Sequence, residues 1–223
     1  MRLSHTLGGF SAGSENKMAG LLSNFRNTMI LSAVLAALML IAFTQSPHGI
    51  DSVYFQAVFR WMHVVFGILW IGLLYYFNFV QIRVMPNIPA EQKPAVSKHI
   101  APEALFWFRW SALMTVIAGF GIAGLHGSVY AAKVFTFGLA GGYGADDHGF
   151  TLMGVGVYLA LIMFLNVWGI IWPNQKIALG IKDGTPEAKA KSARIAMLAS
   201  RVNTLLSLPM LTSMAMYQSL YGG

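Results

Sequence analysis

The 223-residue chain contains no cysteine. This absence excludes disulfides, thiolate catalysis, cysteine-held iron–sulfur clusters and covalently attached c-type haem from the chain. Charged residues are also scarce, at 10% of the sequence, whereas soluble domains carry about 25%. Residues 1–27 contain no long apolar core, so we expect no cleavable signal peptide. The composition therefore indicates an integral membrane protein.

Hydrophobic residues make up 56% of the sequence and are concentrated in separate segments. A helix needs about 20 mostly apolar residues to cross a bilayer. Apolar runs near that length predict five transmembrane helices, at residues 28–43, 53–82, 104–125, 151–172 and 201–217. We therefore expect an all-α integral membrane protein whose residues 1–26 form a cytoplasmic tail and whose residues 27–223 form one helical bundle in the lipid bilayer.

Lysine and arginine residues are distributed unevenly between the two ends of these helices. All 15 except Arg60 and Lys133 fall in the N-terminal tail or in the second-to-third and fourth-to-fifth connections, counted with the adjoining helix ends. Because basic loops stay on the cytoplasmic side, this pattern places the N-terminus in the cytoplasm and the C-terminus outside. The net charge of +7 then reflects membrane topology, and we expect no nucleic-acid partner.

The second predicted helix carries a polar stripe within an apolar run. At helical spacing, one face of this helix contains His63, Gly67, Trp70, Leu74, Phe77, Asn78 and Gln81. Polar side chains are costly in contact with lipid, so this face is expected to point toward other helices or a bound group. The stripe predicts that the bundle is organised around His63.

Histidines are concentrated on the predicted outer half of the bundle. Four of the six histidines fall there: His48, His63, His126 and His148. Neutral imidazole is a common axial ligand of haem iron, and helical bundles hold such cofactors between facing helices. The arrangement therefore predicts a b-type haem whose iron is ligated by His63.

Other residues are predicted to complete this haem site. Arg60, one turn before His63, can pair with a haem propionate, and Gly67, one turn after it, leaves space for the macrocycle. His126 is the predicted second axial ligand, with His148 as the next candidate. Space is also expected at three glycines of the third helix: Gly119, Gly121 and Gly124.

Simpler interpretations of the same residues stay open. A histidine within a membrane helix is often a hydrogen-bonded packing residue, and a histidine in a loop is more often solvated than ligating. Small residues also let helices approach closely without any cofactor. The predicted site therefore depends on whether His63 borders a space or a filled core.

Four segments of the chain resemble sequence blocks of one known family. They are WMHVVFGILWIGLLYYFNFVQ at 61–81, EALFWFRWSALMT at 103–115, FLNVWGIIWPNQK at 164–176 and ASRVNTLLSLPML at 199–211. These blocks are similar to the membrane domain of the bacterial membrane-type urate oxidase (urate hydroxylase) family. The resemblance covers four of the five predicted spans.

The resemblance implies a membrane-embedded redox protein that works with a cytochrome. In urate-oxidising members of that family a cytochrome c domain follows the membrane part. The present 223 residues include no such domain and, without cysteine, no c-type haem. His63 carries over from the first block, and the shared polar positions are Asn78, Arg109, Asn166 and Asn203.

The leading hypothesis is therefore a b-type haem protein of a bacterial inner membrane that carries electrons to or from a separate cytochrome or a larger membrane complex. One alternative is a non-catalytic accessory subunit packed against a larger membrane enzyme. Another is a metal or small-solute transporter. The 13 methionines are scattered through the spans without a tight Met–His cluster, which argues against copper transport.

Overall fold

A computed structural model describes residues 18–45, 47, 49–140 and 148–221. These ranges are largely helical and contain no strand. Five helices are long and apolar enough to cross a membrane. With one short helix they are numbered in chain order: α1 (Phe25–Phe43), α2 (Ser52–Asn87), α3 (Lys93–Leu125), α4 (Ser128–Phe135), α5 (His148–Ala178) and α6 (Pro186–Leu220). The predicted all-α fold with five membrane-length helices is confirmed.

Each of the five long helices extends beyond the predicted span. Apolar runs mark only the part of a helix suited to lipid, whereas the helix itself continues into polar turns. The clearest case is α6, where the apolar run predicts a span from residue 201 and the structure has one continuous helix from Pro186. Thr185 caps this helix by accepting a hydrogen bond from the Ala188 amide, and proline is favoured in the first turn.

Contacts between Cα atoms divide the chain into two units, Met1–Tyr54 and Phe55–Gly223. In the first unit, α1 has no buried residue, and the Tyr54 hydroxyl donates a hydrogen bond of 3.1 Å to the Leu40 carbonyl. Residues 1–17 of the predicted tail, together with His48, lie outside the described residues. The second unit contains most of α2 and all of α3 to α6.

The core of the second unit lies between α2, α3, α5 and α6, which alternate in direction along the chain. The large apolar side chains that are fully buried at its centre come from α2, α3 and α5, and they are Trp70, Leu74, Phe108, Met163 and Val167. The inward face predicted for α2 is confirmed at these core positions, because Trp70, Leu74 and Phe77 are all buried.

Hydrogen bonds donated by asparagine side chains fix the register of the helices. The Asn166 Nδ2 donates to the Ala199 carbonyl at 2.8 Å and to Asn203 Oδ1 at 2.7 Å, while Asn203 Nδ2 donates to the Met163 carbonyl at 3.0 Å. Asn78 Nδ2 donates to Ser200 Oγ at 2.8 Å. Asn78, Asn166 and Asn203 therefore join α2 and α5 to α6.

Candidate functional site

A cavity of about 360 Å³ lies at the end of the second unit where α2 begins and α6 ends. All five helices of the unit contribute to its wall, which is mostly apolar. Its polar side chains include Arg60, His63, Thr115, Tyr130 and Gln218. Small-molecule and cofactor sites in proteins have about this size and this combination of apolar walls with a few polar groups.

The His63 ring is held in one orientation by α3. Its Nδ1 lies 2.8 Å from the Thr115 carbonyl oxygen. Because a carbonyl oxygen only accepts, Nδ1 carries the proton, and a neutral ring therefore keeps its lone pair on Nε2. Among the described residues, none forms a hydrogen bond with Nε2. A histidine that ligates a metal is usually oriented in this way, with its other nitrogen donating to a backbone carbonyl.

Gly119 makes room for the His63 ring. A Cβ atom at position 119 would lie 3.2 Å from His63 Cε1 and 3.3 Å from His63 Nδ1. Both distances are shorter than ordinary van der Waals contacts, so only a glycine lets the ring approach the α3 backbone this closely. Thr115 and Gly119 are one turn apart on α3, and together they set the position and the tautomer of the imidazole.

Arg60 and Tyr130 are the other ionisable groups on this cavity wall. Arg60 lies one turn before His63 on α2, as predicted for a partner of an anionic group. Tyr130 belongs to α4, outside the membrane-length helices. Burial, and secondly a hydrogen bond with Tyr217, raises the pKa of the Tyr130 hydroxyl well above its usual range. Tyr130 therefore stays neutral at physiological pH and can act as a hydrogen-bonding group.

Of the residues predicted for the site, Arg60, His63 and Gly119 line the cavity, whereas Gly67, His126 and His148 are not among its lining residues. A Cβ at Gly67 would meet Thr115 Cγ2 at 3.8 Å, an ordinary contact. His148 is exposed at the first position of α5.

His126, the predicted second ligand, follows the last residue of α3. Its Nδ1 donates to the Ile122 carbonyl at 2.9 Å, and the same carbonyl also accepts from the His126 backbone amide at 3.2 Å. Its ring stacks on the Tyr130 ring, with 4.4 Å between the ring centroids. In the structure His126 therefore caps a helix beside a cavity-lining residue.

Residues of α4, α5 and α6 complete the cavity and were not predicted from the sequence. They include Tyr130, Met153, Met214 and Gln218. A thioether is a known axial ligand of haem iron, so the two methionines add ligating chemistry to the wall. The sequence does contain one indication of the two methionines: if neighbouring helices are antiparallel, Met153, Met214 and His63 all fall in the same half of the bundle.

The described residues contain no group of three histidine, aspartate and glutamate side chains that could hold a bare metal ion. Haem has different needs, because its ring supplies four ligands and the protein supplies one or two. Compared with protein-family models, with curated proteins and with solved structures, the chain shows no match. Membership of the urate oxidase membrane family stays a prediction from the four sequence blocks.

Proposed function

We propose that the protein is a multi-pass membrane protein that binds b-type haem and carries electrons to or from a separate cytochrome or a larger membrane complex. One observation supports this most directly. His63 lines an apolar cavity, and its Nδ1 is committed to the Thr115 carbonyl, so the unprotonated nitrogen is Nε2. This is the arrangement that an axial ligand requires.

The residues at the cavity fit haem. His63 would ligate the iron, Arg60 would pair with a propionate, and the apolar wall would enclose the macrocycle. The thioethers of Met153 and Met214 are the further ligating groups on the wall. When bound, haem supplies a one-electron redox centre. The chain's own part is to orient the imidazole, to keep water away and to counter the propionate charge.

The proposed topology places this cavity on the outer side of a bacterial inner membrane. All but two of the basic residues lie toward the opposite end of the helices, and basic loops stay in the cytoplasm. A haem in this cavity would lie close to the outer surface, where an extracytoplasmic cytochrome can approach. The resemblance to the urate oxidase membrane domain, which works with a cytochrome, supports the same kind of partner.

An absorption spectrum of the detergent-purified protein, recorded oxidised and reduced, tests the proposal. We expect a Soret band that shifts on reduction and haem that extracts without covalent attachment. His63→Ala should abolish the band. His126→Ala is the matched control and should retain it, since His126 does not line the cavity.

A protein without a Soret band and without extractable haem would refute the proposal and favour an accessory subunit. A band that survives His63→Ala but disappears in His126→Ala would show that the ligand was assigned to the wrong histidine. Haem added during purification can be excluded by comparing protein from haem-replete and haem-limited cells, since a resident cofactor should follow haem supply.

A further inference from the structure

A second cavity, of about 240 Å³, lies at the other end of the same bundle. It is formed where α2 and α5 end and where α3 and α6 begin. Three of these helices contain a π-helical turn there: Tyr76–Gln81 in α2, Val96–Ile100 in α3 and Val167–Ile171 in α5. Each of the three turns contributes to the cavity wall. Such turns widen a helix locally and are frequent at functional sites.

The polar groups on this wall are uncharged. They are Ser97 and Ser200, with the amides of Gln81 and Gln175, and no described residue on the wall carries a charge. Gln81 Oε1 is buried and has no hydrogen-bond partner in the described chain. No side-chain hydrogen bond is found for Gln175 within the same residues. Both primary amides thus have unused hydrogen-bonding capacity, and for the buried Gln81 oxygen this is costly in an apolar setting.

The rest of the wall suits a flat apolar group. Phe77 and Phe108 meet edge to face, with 5.6 Å between their ring centroids, and Leu105 and Ile171 add aliphatic surface. The volume is below the range of about 300–1,000 Å³ that is typical for drug-sized ligands, so the cavity matches a single ring better than a macrocycle.

Tryptophans near this end indicate its depth in the membrane. Trp107 and Trp110 lie on α3 and Trp172 on α5, close in sequence to the cavity-lining positions. Tryptophan is enriched at the membrane–water interface. A ligand that reaches the cavity from this depth can keep an apolar tail in lipid while its head group meets the glutamines.

We propose that the second cavity binds the ring head group of a lipid-soluble quinol. A quinol is uncharged, flat and small, and its two hydroxyls can donate to the carbonyl oxygens of Gln81 and Gln175. A phospholipid head group is a poor fit, because its phosphate would require the cationic partners that this wall lacks. The inference concerns binding alone and does not depend on haem in the first cavity.

Titration with a quinol analogue tests this inference. The probe is the fluorescent inhibitor heptyl-hydroxyquinoline N-oxide, added to purified full-length protein in detergent, with binding read from fluorescence quenching. Gln81→Leu removes the unpaired amide at nearly constant volume, and we expect about tenfold weaker binding, the effect of losing one hydrogen bond. Gln175→Leu should act similarly. Gln92→Leu changes an exposed glutamine away from the cavity and should bind like the wild type.

Three results would overturn the inference: no saturable binding to the wild type, wild-type affinity in both Gln81→Leu and Gln175→Leu, or an equal loss of affinity in all three variants. Displacement of the probe by phospholipid alone would identify the cavity as a lipid site and would also reject a quinol. His63→Ala should leave the affinity unchanged. Failure of this inference is therefore distinct from failure of the haem proposal, which the absorption spectrum decides.

Discussion

Substitution of Gly119 by alanine tests whether the orientation of His63 controls the first cavity. The new Cβ would lie 3.2 Å from His63 Cε1, so the ring must move away from α3 by a few tenths of an ångström. The same movement lengthens the 2.8 Å hydrogen bond from Nδ1 to the Thr115 carbonyl. Gly124→Ala on the same helix is the matched control, because a Cβ there has no neighbour within 4 Å.

The two substitutions separate ligand orientation from helix stability. Replacing glycine by alanine inside a helix stabilises it by about 0.5–1 kcal/mol. Gly124→Ala should show this gain in full. In Gly119→Ala the gain is offset by a weakened hydrogen bond, worth about 0.5–1.5 kcal/mol, so its stability should change little. Loss of the group that orients a metal ligand lowers metal affinity by roughly 10- to 100-fold, and we expect haem affinity to fall by that factor in Gly119→Ala alone.

Haem titration followed at the Soret band measures the affinity, and thermal unfolding measures the stability. Equal haem affinity in Gly119→Ala and wild type would show that the imidazole position is not critical, and the reasoning would fail. Equal loss of haem in both alanine variants would assign the effect to the packing of α3 rather than to His63.

Three further predictions concern packing between neighbouring helices. Asn203→Ala should lower the free energy of unfolding by about 1–3 kcal/mol, since two inter-helix hydrogen bonds are lost, whereas exposed Asn174→Ala should have little effect. Gly156→Ala should destabilise the protein by about 1–3 kcal/mol, because the new Cβ would lie 2.8 Å from the Oγ of Ser213 on α6. Gly169→Ala is its control, because a Cβ there has no neighbour within 4 Å. Arg109→Gln should cost roughly 0.5–2 kcal/mol by removing a guanidinium 3.7 Å from a tryptophan ring centroid. Thermal unfolding in detergent checks all three, and unchanged stability in Asn203→Ala, Gly156→Ala or Arg109→Gln would contradict the respective argument.

The sequence predicts most about α2. Its apolar length gives the span, and its polar stripe gives the buried face, because lipid exposure of His63 or Asn78 would be costly. The prediction for Arg60 rests on the same periodicity, since Arg60 lies one helical turn before His63. These inferences concern residues on one helix, where a period of 3.6 residues fixes which side chains share a face.

The remaining wall of the first cavity depends on relations between helices. Met153 and Met214 reach it only because α5 and α6 pack closely, with Ser213 of α6 against Gly156 and its hydroxyl donating to the Leu152 carbonyl of α5. No pattern within a single helix predicts how α5 and α6 are rotated against each other. The prediction for His126 shows the same limit: its position at the end of α3 could be read from the sequence, but the hydrogen bond from its Nδ1 to the Ile122 carbonyl could not.

The face of α2 that bears His63 forms part of both cavities. Trp70 lines the first cavity and Phe77 lines the second, and at about 1.5 Å per residue they are roughly 10 Å apart along the helix. Leu74, with no exposed surface, fills the interval. A close-packed layer of this kind prevents a ligand in one cavity from touching the other, so His63→Ala and Gln81→Leu should act independently. The double variant should therefore lose the Soret band as His63→Ala does and bind the quinol analogue as weakly as Gln81→Leu does. A different result would mean that the core between Trp70 and Phe77 rearranges when one cavity is filled.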